Sequence, residues 1–210
     1  ANEAFAQTAR YDAAISAWFS ESYEAFPEHR VLAFEKLLDL SYGENPHQRA
    51  ALYSQVGLDS NVLTGMSKHH GKALSFNNVL DLDSCRKLLA DLEGPACVIV
   101  KHNNPCGVAM IPKSAASAQM QALQKAWEGD PVSAFGGILA FSHPFPADCA
   151  EWLSDKFVEL VVAPSVDPDA LSILAKKKNL RVLLCPPRKA GVRERMVRSV
   201  YGGVLIQDED

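Results

Sequence analysis

From Leu80 onward the chain alternates short apolar runs with amphipathic helical stretches, and no other feature restricts its fold as tightly. The spacing predicts a helix over Leu80 to Leu92, with Leu82, Cys85, Leu89 and Leu92 on one side, then a continuous apolar strand over Ala96 to Val100. The pattern repeats. Helix Ala115 to Trp127, strand Gly137 to Phe141, helix Ala147 to Lys156, strand Val158 to Ala163, helix Asp169 to Lys178 and strand Arg181 to Cys185 follow in order. Strands separated by helices of this length imply a largely central sheet with helices on both faces, the α/β class. A last strand, Gly203 to Gln207, follows a basic loop.

Ahead of this region, Glu3 to Phe19 reads as a helix with Tyr11, Ile15, Trp18 and Phe19 on one face, a face that needs a partner. Ser20 to Arg30 is polar, carries Pro27 and reads as a linker, so a domain boundary is expected near residues 20 to 30. Val31 to Tyr53 reads as extended around a turn at Gly43-Glu44-Asn45-Pro46. With 210 residues, 48% of them hydrophobic, the chain can bury one substantial core.

A net charge of -4 argues against an unaided nucleic-acid or anionic-membrane surface and leaves a small-molecule ligand as the expected partner. No apolar run approaches the ~20 residues that span a bilayer, and a signal-peptide pattern is missing, so a cytoplasmic protein is expected. The five cysteines are widely spaced in mostly apolar surroundings, which suits reduced thiols. The chain starts Ala1-Asn2-Glu3 and stops at Gln207-Asp208-Glu209-Asp210 just after a strand-like run, and reads as a piece of something longer.

The richest stretch chemically is Val98-Ile99-Val100-Lys101-His102-Asn103-Asn104-Pro105-Cys106-Gly107. A buried strand ends abruptly there in a cation, an imidazole and two amides, and ligands of open α/β sheets gather at strand ends. His102 can exchange a proton near neutral pH, and Lys101 can hold an anion or a developing negative charge. The same string also fits a polar loop that only satisfies a turn. Pro105-Cys106 is half of a zinc-deaminase pattern, but Ala109 stands where the second cysteine belongs and Asn104 where the glutamate belongs, so a packed thiol is the expectation for Cys106.

Asp130-Pro131-Val132-Ser133-Ala134-Phe135-Gly136-Gly137 links a helix to a strand; its glycines permit a close approach to a ligand or simply make the turn. Leu40-Ser41-Tyr42-Gly43-Glu44-Asn45-Pro46-His47-Gln48 is dense in hydrogen-bonding groups, and alone reads as a polar loop. His69-His70 is expected in a solvent-facing Lys-rich loop, and Lys176-Lys177-Lys178 at a helix end where it complements the dipole. Arg188, Lys189, Arg193, Arg195 and Arg198 read as a solvated basic loop.

Tyr42 to Gln48, Gly71 to Asn78, Lys101 to Gly107 and Ser133 to Gly137, taken in order, resemble the AICAR transformylase domain of the bifunctional AICAR transformylase/IMP cyclohydrolase family. The resemblance implies that residues 1–20, with Thr8-Ala9-Arg10-Tyr11-Asp12, correspond to the last helix of the cyclohydrolase domain, 21–30 to a linker and 31–210 to the first half of the transformylase domain. It further implies a cytidine-deaminase-like layered fold without zinc, a homodimer with its site across the interface, and transfer of a formyl group from 10-formyltetrahydrofolate to the 5-amino group of AICAR.

Carried onto this sequence, His102 matches the family's proton acceptor and Lys101 the residue that stabilises the tetrahedral transition state. Their adjacency makes physical sense, because a nearby ammonium favours the neutral, proton-accepting imidazole. Tyr42, Gly136 and Glu159 match AICAR contacts, while Asn104, Pro105 and Gly107 are expected to shape the loop that aims the pair. One position departs: the family's usual arginine before the tyrosine is Ser41 here, which offers a phosphate one neutral hydrogen bond in place of a bidentate grip. Ser41 and the shortness of the chain favour an alternative reading, a non-catalytic nucleotide-binding or assembly remnant; the intact Lys101-His102 pair favours catalysis.

Overall fold

The computed structural model describes residues 1–23, 26–56, 65–186 and 195–208. Helix α1 (Asn2–Tyr23) leads into a hairpin of β1 (Phe34–Leu40) and β2 (Ala50–Gln55). Then come β3 (Ser67–His70), α2 (Phe76–Ala90), β4 (Ala96–Lys101), β5 (Asn104–Met110), α3 (Ala118–Gly129), the short α4 (Pro131–Ala134) and β6 (Ile138–Phe141). The chain continues through α5 (Ala147–Trp152), β7 (Leu160–Ala163), α6 (Pro168–Leu174) and β8 (Arg181–Leu184), and β9 (Arg195–Val200) pairs with β10 (Gly203–Asp208) as a second hairpin.

The central sheet has six strands in the order β3-β8-β7-β6-β4-β5. Strands β6, β7 and β8 run parallel, as their helical crossovers require, whereas β4 is antiparallel to both β6 and β5, and β3 is antiparallel to β8. The fold is therefore α/β with a mixed sheet. On one face α2 lays Leu82 and Cys85 against Val98, Val100, Ile138, Leu160 and Leu183. On the other, α3, α5 with its C-cap Leu153, and α6 supply Leu123, Ala126, Cys149, Leu153, Ala170 and Leu174 against Ile99, Leu139, Val161 and Val182. Burial on both faces is why these strands read as unbroken apolar runs. Each fully buried Leu, Ile or Val contributes roughly 1.5–3 kcal/mol of transfer free energy.

Several boundaries and elements differ from the sequence reading. Helix α2 starts at Phe76, because Ser75 and Asn78 form a capping box: Ser75 Oγ accepts from the Asn78 N–H at 3.2 Å, and Asn78 Oδ1 accepts from the Ser75 N–H at 3.1 Å. Helix α6 stops at Leu174, so Lys176-Lys177-Lys178 lies past its end, and the Lys177 ammonium instead donates to the Lys156 carbonyl. The supposed loop at His69-His70 is strand β3, and His70 Nε2 lies 3.2 Å from the Lys177 carbonyl.

Asn104, Pro105 and Gly107 do not form a loop either; they belong to strand β5. Proline has no N–H to give, and it is tolerated there because β5 is the outer strand of the sheet. Arg195 and Arg198 lie on β9 rather than in a loop, while Arg188, Lys189 and Arg193 fall outside the described residues, as do residues 24 and 25 of the expected linker. All five cysteines are free. No described helix is long and apolar enough to cross a membrane.

Candidate active site

The Lys101–Asn104 pair closes the β4–β5 hairpin, leaving His102 and Asn103 as its two-residue connection. Both have positive φ, 53° and 63°, the signature of a type I′ turn, whose twist matches that of the flanking strands. The left-handed region costs an ordinary L-residue roughly 1–2 kcal/mol, less for an asparagine that bonds locally, and contacts around the turn offset that cost. Three side chains meet the turn. Asp81 Oδ1 accepts from the Asn103 N–H at 2.7 Å, Ser84 Oγ donates to Asn103 Oδ1 at 2.5 Å, and Asn104 Nδ2 donates to the His102 carbonyl at 3.0 Å. The imidazole itself stands on the exposed tip.

Lys101 is half-buried and its ammonium donates to the Phe135 carbonyl at 2.7 Å, one residue before Gly136. That peptide follows α4, which is capped by Asp130: its carboxylate accepts from the N–H groups of Val132 and Ser133 at 3.1 and 3.0 Å. These bonds, with that from the Ser133 hydroxyl, hold the Asp130 carboxyl below its ordinary value. Gly136 has φ of 75°, and its N–H donates to the Phe157 carbonyl at 2.8 Å. The Glu159 N–H donates to the Gly137 carbonyl at 3.1 Å, so Gly136 and Glu159 stand side by side where β6 and β7 begin.

Glu159 Oε2 accepts from Asn78 Nδ2 at 3.1 Å and faces the nearly buried Arg181 guanidinium at 3.7 Å. Asn78 belongs to the capping box of α2, and the same helix start anchors the β1–β2 turn. There the Phe76 N–H donates to the Tyr42 carbonyl at 3.1 Å, and the Ser41 N–H and hydroxyl both donate to the Leu74 carbonyl at 2.8 and 3.0 Å. Lys101, His102, Gly136 and Glu159 are thus brought to one end of the central strands, with Ser41 and Tyr42 tied to the start of α2.

Asn104 turns back on its own hairpin, and Pro105 and Gly107 run away along β5. A Cβ on Gly107 would meet the Ala126 carbonyl oxygen at 2.0 Å, so this glycine admits α3 against the sheet. The site occupies the C-terminal end of β4 but the start of β6 and β7, because β4 is antiparallel to β6. At the opposite ends of β6 and β7, Arg86, Leu89, Phe141, His143, Ala163 and Cys185 line a separate cavity.

Asp81 did not emerge from the sequence. Burial pushes its carboxyl above the ordinary 3.8, opposed by the Asn103 N–H bond and the nearby His102. Lys101, by contrast, acts on Asp130 and Cys106. Neighbours in sequence thus face different charged partners. The Ser75-x-x-Asn78 spacing was a readable sign of a cap, but nothing local marks Asn78 as a partner of Glu159. Among the described residues no group of three His, Cys, Asp or Glu side chains could hold a metal ion, and Cys106 Sγ points to the Ile99 carbonyl at 3.5 Å.

Comparison with known proteins gives a family to this layered α/β domain with its lysine-histidine hairpin tip beside a glycine turn. The family model described as the AICARFT/IMPCHase bienzyme matches residues 1–210, and the chain belongs to that family. The bifunctional purine biosynthesis protein PurH of Myxococcus xanthus is 46% identical over 216 residues, covering 99% of this chain and 41% of the relative. Those of Acidithiobacillus ferrooxidans and Synechococcus elongatus are each 45% identical, over 100% and 99% of this chain. The chain spans about two fifths of the length of these relatives. A dCMP deaminase from the cyanophage S-TIM5 overlaps 49% of the chain at a TM-score of 0.34 and 14% identity.

Proposed function

We propose that this chain supplies part of the formyl-transfer site of a bifunctional purine-synthesis enzyme, passing a formyl group from 10-formyltetrahydrofolate to the 5-amino group of AICAR. The observation that carries the reading is an exposed imidazole on a strained turn, next to a lysine whose ammonium reaches the peptide before Gly136. The AICAR amine is a poor nucleophile, since its lone pair is delocalised into the imidazole and carboxamide, so its proton must leave as it attacks. The amine nitrogen bonds to the formyl carbon, His102 takes the amine proton, and the carbonyl electrons move onto oxygen. The oxyanion is met by the Lys101 ammonium, which exchanges the Phe135 carbonyl for it. Collapse breaks the bond from the formyl carbon to N10 of the folate, and that nitrogen takes up a proton as tetrahydrofolate leaves.

In this reading Tyr42, Gly136 and Glu159 border the nucleotide, residues 1–20 end the cyclohydrolase domain and 31–210 begin the transformylase domain. A second subunit completes the site as a homodimer in the cytoplasm. The test is made in the complete enzyme by following tetrahydrofolate release. His102→Ala is expected to lower kcat by at least about a hundredfold with an unchanged circular dichroism spectrum. Wild-type turnover in that variant would remove His102 as the base. Tight AICAR binding with no formyl transfer by the wild-type enzyme would favour the nucleotide-binding remnant.

A further inference from the structure

We infer that Asp81 is a positioning residue: with Ser84 one turn further along α2, it holds the His102-Asn103 turn in its left-handed conformation and thereby sets where the imidazole stands. The hairpin tip is exposed, so side-chain packing adds nothing to the strand pairing that favours two positive φ values, and the turn lacks the glycine that relieves such strain. What does meet it is a pair of α2 side chains three residues apart, on the helix face toward the tip. The Asp81 carboxylate accepts from the Asn103 N–H, and the Ser84 hydroxyl donates to the Asn103 side-chain oxygen. Leu82 and Cys85, each the residue directly after one of the pair, face the core, so α2 is fixed in rotation and the clamp cannot drift. Partial burial of the carboxylate lowers the local dielectric in which it accepts that bond.

That Asp81 holds the turn rests on the geometry alone; that it assists the reaction rests also on the proposed function, and two measurements keep these apart. In this chain, Asp81→Ala is expected to speed exchange of the Asn103 amide at least about tenfold and to shift the carbon resonances of His102 and Asn103 away from left-handed values, while Ile99 and Leu139 stay protected. Asp81→Asn, which keeps an acceptor oxygen, is expected to preserve both signals. An unchanged Asn103 amide in Asp81→Ala, or equal loss in both variants, overturns the clamp.

In the complete enzyme, Asp81→Ala is expected to lower kcat about tenfold or more with KM nearly constant, and Asp81→Asn to restore most of it. Wild-type kcat in Asp81→Ala overturns the catalytic consequence. Absence of formyl transfer in the wild-type enzyme would defeat the functional reading while leaving the amide-exchange result to decide the clamp.

Discussion

Asp81 sets a hydrogen bond against the cost of burying a charge, and the two can be separated by pH. Its folded-state pKa is raised above 3.8, so its favourable contribution is complete below that value and is lost as pH rises through the raised one. At neutral pH the ionised carboxylate is a net liability relative to a neutral acceptor of the same shape. Asp81→Asn is therefore expected to be more stable than wild type toward urea at pH 7, with the difference shrinking as pH falls toward 3.8. A less stable variant at pH 7 would mean that charge strengthens the Asn103 bond by more than burial costs. Ser41 presents a second residue-scale question, because its hydroxyl is committed to the Leu74 carbonyl and must leave it to meet a phosphate. Ser41→Arg in the complete enzyme is expected to tighten AICAR binding about tenfold by calorimetry, the usual gain from a bond to a charged group. Unchanged affinity would place the phosphate elsewhere.

Strand β5 shows how one element serves both packing and the site. It pairs with β4 on one side only, carries Pro105 near its start, and has a register shift opposite Ile99 and Val100 that accommodates Cys106 as an extra residue. Beyond the bulge Gly107 lets α3 approach within contact of the strand backbone. Gly107→Ala would drive a methyl into the Ala126 carbonyl and is expected to destabilise the fold by about 1–3 kcal/mol, read as a lower urea midpoint with an unchanged slope. A midpoint equal to wild type would show that α3 shifts freely. The hairpin thus couples the seat of α3 to the turn bearing His102, and damage at Gly107 should reach the site only through the strand.

At the scale of the whole molecule, the sheet is buried on both faces while other apolar surface is open. Helix α1 exposes Phe5, Tyr11, Trp18 and Phe19, and the β9–β10 hairpin, a separate two-stranded sheet, exposes Tyr201, Val204 and Leu205. Exposed apolar side chains in such numbers promote association. The weight-average mass in sedimentation is expected to rise with concentration, and Tyr11→Glu combined with Trp18→Glu to suppress the rise; identical curves would exonerate α1. Periodicity in the sequence was enough to determine the α/β class and the apolar central strands, because burial on two faces and helical spacing are written locally; the polar strings at strand ends drew attention to Lys101, His102 and Gly136, Glu159 came only from the family resemblance, and on α1 the face of Tyr11, Ile15, Trp18 and Phe19 stays exposed while Ala13 is buried. The direction of β4, the existence of β3 and β5 and the partners of the site were decided by tertiary structure. Asp81 meets Asn103 across 22 residues and Asn78 meets Glu159 across 81, and contacts between segments so far apart leave no local pattern to read. The same holds for strand β5: its proline and polar start look like a loop until the outermost place in the sheet makes the missing N–H harmless.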